Sequence, residues 1–281
     1  MTTKDIILHL RIPFSFFLMP VYWFALSQAS IVDKPKAIWV FVILHLLIYT
    51  ASNAYNSYFD KDEGSIGGLE KPPAVDEKLF WVAWGIDILA IVLGFLFVNP
   101  LFALLIFVYS MVSKAYSDDK VRLKKYAVLS WFIVGLFQGA FTYITVILAV
   151  SNNNELLQPH LLPALISTLM LWAIYPVTQV YQHDEDRKRG DNTMSMLLGI
   201  RGTFVFTALV FTVAFALFFL YFPESDFILL LLFNLPTLAY FSWWFLKVLK
   251  DANQANFRHV MWLNLLASFC LNGFYIWLYV R

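Results

Sequence analysis

The chain has 281 residues, a formal net charge of +1, 60% hydrophobic residues and only 14% charged ones. A soluble domain is nearer about 45–50% apolar and about 25% charged, so lipid must cover much of this surface. The near-zero net charge gives no reason to expect nucleic-acid binding, and the single cysteine, Cys270, excludes a disulfide framework and a cysteine-based zinc site. A spanning helix needs about 20 mostly apolar residues. Nine segments qualify in chain order: 13–28, 37–58, 79–98, 101–116, 128–150, 162–182, 203–222, 227–249 and 260–280. The first reads as an uncleaved helix rather than a signal peptide, although Ala25-Leu26-Ser27 loosely resembles a cleavage site. Asn99-Pro100 divides the third from the fourth, because proline disfavours continuing a helix.

The connections are unequal. Those after the second, fourth, sixth and eighth helices carry 15 of the 20 basic residues, Lys114 and Arg201 among them. Lys4 and Arg11 lie on the same side, whereas only Lys34, Lys36 and Arg281 lie opposite. Cytoplasmic loops concentrate Lys and Arg. The N-terminus is therefore expected in the cytoplasm and the C-terminus outside. The 151–154 and 223–225 stretches read as external turns. With no linker or composition shift, residues 1–281 read as one domain: an all-α, polytopic membrane bundle of nine transmembrane helices.

Polar residues close two of the helices on the basic side. Asn53, Asn56 and Asp60 recur at i, i+3 and i+7 and share one helix face. Amides and carboxylates are costly in hydrocarbon, so that face should turn to the bundle interior or its aqueous rim. Oxygen ligands of this kind suit Mg²⁺. Gln179, Gln182 and Asp186 repeat the spacing at the end of the sixth helix, one turn after a proline, Pro176, that should kink it. Two such patches facing one another would hold Mg²⁺ between them, with neighbouring cations such as Arg187 neutralising a phosphate. A third cluster follows the fourth helix: Tyr116, Lys120, Arg122 and Lys124. Lysines there also serve as a topology signal. Arg122, and Arg11 at the start of the first helix, are the better phosphate candidates, since guanidinium grips phosphate in a bidentate way. Asp87 lies inside the third helix, where a pairing within the bundle competes with a place beside a substrate cavity. His45 reads as a satisfied core histidine. Asn264, Ser268 and Asn272 form a stripe on the ninth helix suited to interhelical hydrogen bonds.

With these motifs in this order, the chain resembles the UbiA superfamily of intramembrane prenyltransferases, which has nine transmembrane helices and two Asp-rich motifs at cytoplasmic helix ends. Asn56 and Asp60 match the start of the first motif, N-x-x-x-D-x-x-x-D, and Asn53 with Asn56, Tyr58, Phe59 and Asp60 looks like the menaquinone branch. Asp186 through Gly190, then Thr193, match the second. Tyr116-Ser117 with Arg122-Leu123-Lys124 resembles the Y-S-x-P-P-x-x-L-K segment of chlorophyll-synthase-like members, and Arg11-x-Pro13 resembles the family's N-terminal arginine. The chain departs from the pattern at Gly64, where the last Asp of motif one would fall. It departs again at Gln182, the first Asp of motif two, and at Asp118-Asp119, which replace the Pro-Pro.

The resemblance implies a Mg²⁺-dependent membrane enzyme, expected in a bacterial cytoplasmic membrane. It would move a polyprenyl group from its diphosphate to a lipophilic, quinone-precursor-like aromatic acceptor. Asn56, Asp60, Gln182 and Asp186 would ligate Mg²⁺, with Asn56, Asp60 and Asp186 catalytic. Arg11, Asn53, Tyr116, Lys120, Arg122, Lys124, Gln182 and Arg187 would bind substrate. A transporter remains an alternative, but its site would sit near the midplane at broken helices, and Asp87 is the residue that would support it. A family member that has lost catalysis is the other alternative, given Gln182.

Overall fold

The structure is a computed structural model describing residues 1–151 and 155–281, so part of the turn read at 151–154 lies outside the described residues. Among the described residues, nine helices are long and apolar enough to cross a membrane, and the only extended pairing is an isolated bridge between Ile66 and Leu69. The spans are Thr3–Gln28, Lys34–Asp60, Glu77–Phe97, Pro100–Ser117, Ala127–Val150, Gln158–Gln179, Met194–Tyr221, Glu224–Lys250 and Phe257–Val280. Large apolar side chains such as Trp81, Leu96, Leu220 and Phe269 are exposed on their outer faces, as a lipid-covered surface requires.

Most spans begin a few residues before the apolar runs do, and polar caps explain it. The side chains of Asp33, Asp76, Asn99 and Asn256 each accept a backbone N–H from the first turn of the helix that follows, satisfying donors that would otherwise be orphaned. Asn99 with Pro100 thus opens the fourth span as the sequence indicated. The α-helical pieces are α1 (Thr3–Leu10), α2 (Met19–Gln28), α3 (Lys34–Val42), α4 (Tyr49–Asp60), α5 (Glu77–Phe97), α6 (Pro100–Ser117) and α7 (Ala127–Leu136). They continue as α8 (Thr142–Val150), α9 (Leu161–Ile174), α10 (His183–Arg189), α11 (Met194–Tyr221), α12 (Glu224–Lys250) and α13 (Phe257–Val280).

Three spans differ from the sequence reading. The first starts at Thr3, with a Thr2–Asp5 capping box, and breaks at Arg11. The sixth ends at Gln179: Pro176 lies in a 3₁₀ turn, Tyr175–Gln179, and the chain then restarts as α10. The seventh begins at Met194 rather than 203, with a non-helical Gly199 at φ 69° inside it. A fourth difference concerns charge. Lys114 is not a loop residue: it is buried within α6.

The helices gather into two compact units. The first comprises Met1–Leu18, Ala29–Lys124 and Thr145–Glu155, the second Met19–Gln28, Lys125–Ile144 and Leu156–Arg281. In the first, α4 packs on α1, α5 and α6, over a core of Ala54, Tyr55, Leu79 and Ala83 flanked by Leu10, Phe80 and Trp84. In the second, Val177, Phe204, Trp244, Val248 and Leu263 form one core. Phe24 forms the centre of another, stacked on Tyr275 with centroids 4.6 Å apart and edge-on to Tyr143 at 5.4 Å.

Bulges let two helices of the second unit approach closely. A π segment, Phe137–Phe141, frees the Ala140 N–H, which donates to the Thr168 hydroxyl at 2.9 Å. At Gly139 a Cβ would stand 2.5 Å from Thr168 Cα and 2.6 Å from its nitrogen. Backbone cannot swing aside as a side chain can. Gly139→Ala should therefore lower the stability of detergent-solubilised protein by about 1–3 kcal/mol, the usual cost of overpacking, read from thermal unfolding. An unchanged midpoint would contradict this packing. On α13, Asn264, Ser268 and Asn272 are buried as expected. The interhelical hydrogen bonds expected of them are not all made, however: neither amide atom of Asn272 has a protein partner.

Candidate functional site

In the first unit the site grows from the C-terminal end of α4. Asn53, Asn56 and Asp60 do lie on one continuous helix, which Lys61 ends in a left-handed conformation at φ 49°. Each side chain reaches a different neighbour. Asn53 Nδ2 donates to the Leu10 carbonyl at 3.4 Å, and Asn56 Nδ2 donates to Ser117 Oγ at the end of α6 at 3.1 Å. The buried Asp60 carboxylate accepts from Lys124 Nζ, with Arg122 Nη2 at 3.9 Å.

What brings those two cations to Asp60 is Asp118, which the sequence marked only as a departure from Pro-Pro. Its Oδ1 accepts the Lys120 N–H at 2.9 Å. Its carbonyl accepts from Val121 at 3.1 Å and from Arg122 at 2.7 Å. The Tyr55 hydroxyl donates to its other carboxylate oxygen at 3.0 Å. An aspartate is suited to such a turn because its side chain bonds its own backbone two residues on. The turn carries Arg122 at φ 44°, and that guanidinium is steadied by Asp119 at 2.8 Å. Tyr55, Ser117 and Asp118 are thus parts of the site that sequence reasoning missed. Lys120 is exposed on the turn and does not reach Asp60, Tyr116 is half-buried, and Arg11 is buried against the backbone. An ammonium and a guanidinium thus stand against the Asp60 carboxylate at this end of α4, and Asp118 and Asp119 balance the charge of the turn that carries them.

The second motif lies in the second unit, and its expected spacing is broken. Because the helix stops at Gln179, that side chain turns inward, where it is buried and accepts the Ser195 N–H at 3.3 Å. It therefore does not share a face with Gln182 and Asp186. Those two stay one turn apart: Gln182 is the N-cap of α10, and the Asp186 N–H donates to its carbonyl at 2.9 Å. Both are half-buried. Arg187 points outward and pairs with Asp184 at 3.0 Å, and Lys188 pairs with Glu185 at 3.0 Å. His183 bonds Ser195 Oγ at 2.8 Å. Partial burial, then the Arg187 charge, holds its imidazole below its ordinary value, so it is neutral near pH 7. Asp191, buried after the left-handed Gly190, donates its N–H to the Asp186 carbonyl at 3.0 Å and braces the end of α10. Sequence reading gave Asp191 no role, and its only signal was the glycine before it.

The family model described as the UbiA prenyltransferase family matches residues 17–266. The chain belongs to the UbiA prenyltransferase family. Among solved structures it is similar to a UbiA homologue from Archaeoglobus fulgidus bound to GPP and Mg²⁺, at 13% identity and a TM-score of 0.71, covering 99% of this chain and 100% of that one. It is also similar to the apo form of a UbiA homologue from Aeropyrum pernix K1, at 17% identity and a TM-score of 0.72, covering 96% and 99%. A third likeness, at 18% identity and a TM-score of 0.62 over 99% of both chains, is to a structure concerned with digeranylgeranylglyceryl phosphate synthase. At these identities the likeness is one of fold. A search of curated proteins finds no match. The chain is a multi-pass integral membrane protein with a UbiA prenyltransferase fold.

The Asn56 amide and the Asp60 carboxylate are oxygen donors of the kind Mg²⁺ takes. Among the described residues no group of three or more His, Cys, Asp or Glu is placed to hold a metal. Mg²⁺ instead keeps waters and takes one or two carboxylates plus substrate phosphate. With its NH₂ group on Ser117, Asn56 has its amide oxygen for a hard cation, one turn before the Asp60 carboxylate. Asp87, the residue that would have favoured a transporter, is committed to Lys114 and to Ser110 at 2.7 Å. His45 behaves as a core histidine, with Nδ1 3.2 Å from the Ser15 carbonyl.

Proposed function

We propose that this chain transfers a polyprenyl group from its diphosphate to an aromatic acceptor of the quinone-precursor type, with Mg²⁺ as cofactor. The observation that carries the reading is the buried Asp60 carboxylate with Lys124 and Arg122 against it. The solved relative bound to GPP and Mg²⁺ supports the same donor class and the same metal. Asn56 and Asp60 would hold Mg²⁺ in one unit, and Gln182 and Asp186 would offer oxygen donors in the other. Bound there, the metal supplies charge to a leaving diphosphate. Lys124 and Arg122 stabilise that diphosphate more as its charge develops, so they favour ionisation of the C–O bond over ground-state binding. The allylic cation is attacked by the electron-rich acceptor, which then loses a proton. In the first unit Tyr116 and Asn53 are assigned to donor binding, with Lys120 adding positive charge on the turn, and in the second unit Arg187 is assigned to the diphosphate. The concentration of Lys and Arg in the loops after the even-numbered helices supports an N-terminus in the cytoplasm and a C-terminus outside, and a family match running over residues 17–266 supports reading 1–281 as one domain.

The direct test is incubation of membranes with a labelled prenyl diphosphate and a panel of aromatic acceptors, with and without Mg²⁺. Label should enter the organic phase only when Mg²⁺ is present, and no transfer to any acceptor would overturn the reading. Asp186→Ala should abolish transfer. Gln182→Ala should keep the maximal rate and shift the Mg²⁺ titration to higher concentration. An unchanged titration would remove Gln182 from the ligands.

A further inference from the structure

Arg11 is placed as a fastener. It interrupts the first span in the left-handed conformation, φ 47° and ψ 45°, which L-residues seldom adopt. Its guanidinium is buried and makes two hydrogen bonds to main-chain carbonyls. Nη2 donates to Asn53 O at 3.1 Å, and Nη1 donates to Gly67 O at 3.2 Å. Those carbonyls belong to different segments. Asn53 lies seven residues before the end of α4, about 10 Å along a helix that rises about 1.5 Å per residue. Gly67 lies seven residues after that end. Bridging them requires the chain after Asp60 to turn back along α4, carrying Asp62 and Glu63 in the returning stretch.

Two further contacts hold the same loop. Phe14, next to Arg11 with its ring centroid 5.6 Å from the guanidinium carbon, fills the space against Gly67. A Cβ on Gly67 would stand 2.6 Å from that ring. His9 Nε2 lies 2.8 Å from the Pro73 carbonyl. The tip is closed by paired backbone bonds between Ile66 and Leu69 at 2.9 and 2.8 Å.

We infer that Arg11 is a positioning residue: it fastens the loop after motif one to α4 and acts on the donor site through that loop. A planar fork can hold two carbonyls at once, and a lysine ammonium of equal charge cannot reproduce that geometry. The inference rests on the end of α4 being the donor site only for its kinetic arm; its structural arm stands alone.

The test uses full-length protein in membranes, with Cys270→Ser as background and Ser65→Cys as a reporter for a water-soluble maleimide. Arg11→Lys should speed labelling by about fivefold, the opening expected from losing one net hydrogen bond, and Arg11→Met, which loses both, by at least as much. Both should raise the donor KM, Arg11→Met at least as much as Arg11→Lys, while kcat changes less. Gly67→Ala, which keeps every charge, should speed labelling in the same way, and adding Phe14→Leu should slow it again. If Arg11 instead gripped diphosphate by charge, Arg11→Lys would keep a near-normal donor KM, Arg11→Met would lose it, and neither would alter labelling. That pattern overturns the inference. Should no acceptor support transfer, the labelling series still decides the fastening role.

Discussion

Asp60→Asn should lower kcat for Mg²⁺-dependent prenyl transfer by about 10²–10³, the usual cost of deleting one preorganised electrostatic group, with the protein still extracted in folded form. The asparagine is chosen because Asp60 is buried with Lys124 on it and Arg122 close by. Asp60→Ala would abolish transfer too, but it leaves a buried ammonium without its partner, and instability could then pass for lost chemistry. The amide keeps the shape and an acceptor oxygen for Lys124 and removes only the negative charge proposed to hold Mg²⁺. The kinetic pattern separates roles. If Asp60 serves only to orient Lys124, donor KM rises and kcat survives. If it holds the metal, kcat falls and added Mg²⁺ restores part of it. Wild-type kcat in Asp60→Asn would remove Asp60 from the chemistry altogether.

How much of this was legible beforehand follows from the length scale of each feature. The nine spans were legible because twenty-residue apolar runs are set by bilayer thickness alone. Motif one was legible because α4 is unbroken through Asp60, so helical periodicity carried Asn53, Asn56 and Asp60 to one face. Motif two was only half legible. The 3₁₀ turn after Pro176 and the restart at His183 rotate Gln179 inward, and no fixed period survives such a break. Least legible were contacts across sequence. Asp118 looked like a lost Pro-Pro until its turn and the Tyr55 hydroxyl were seen together. Lys114 looked like one more loop cation because a charge near a helix end has the same sequence signature whether it faces water or a buried carboxylate.

That buried pair supplies the second large effect. Breaking it from either side should destabilise the protein by about 3–5 kcal/mol, seen as a lower thermal midpoint in detergent. Lys114 Nζ donates to Asp87 and, at 3.1 Å, to Ser110 Oγ, while Ser110 Oγ also donates to Asp87 at 2.7 Å. The ammonium sits 4.5 Å from the Trp84 ring centroid and 4.9 Å from that of Tyr55. Every group belongs to α4, α5 or α6, so the network ties these three helices together within the apolar span. Lys114→Met leaves a buried carboxylate without its counter-charge, and Asp87→Leu leaves the ammonium. The double variant Asp87→Leu/Lys114→Met leaves neither charge and fills similar volume, so it should recover most of the loss. Transfer activity reads out whether the pair does more than hold helices. Through the Tyr55 ring, the pair supports the hydroxyl that steadies Asp118, and hence the turn bearing Arg122 and Lys124. The double variant should therefore regain its thermal midpoint while keeping a raised donor KM. A double variant as unstable as the worse single one would show that the two charges do not act as a pair.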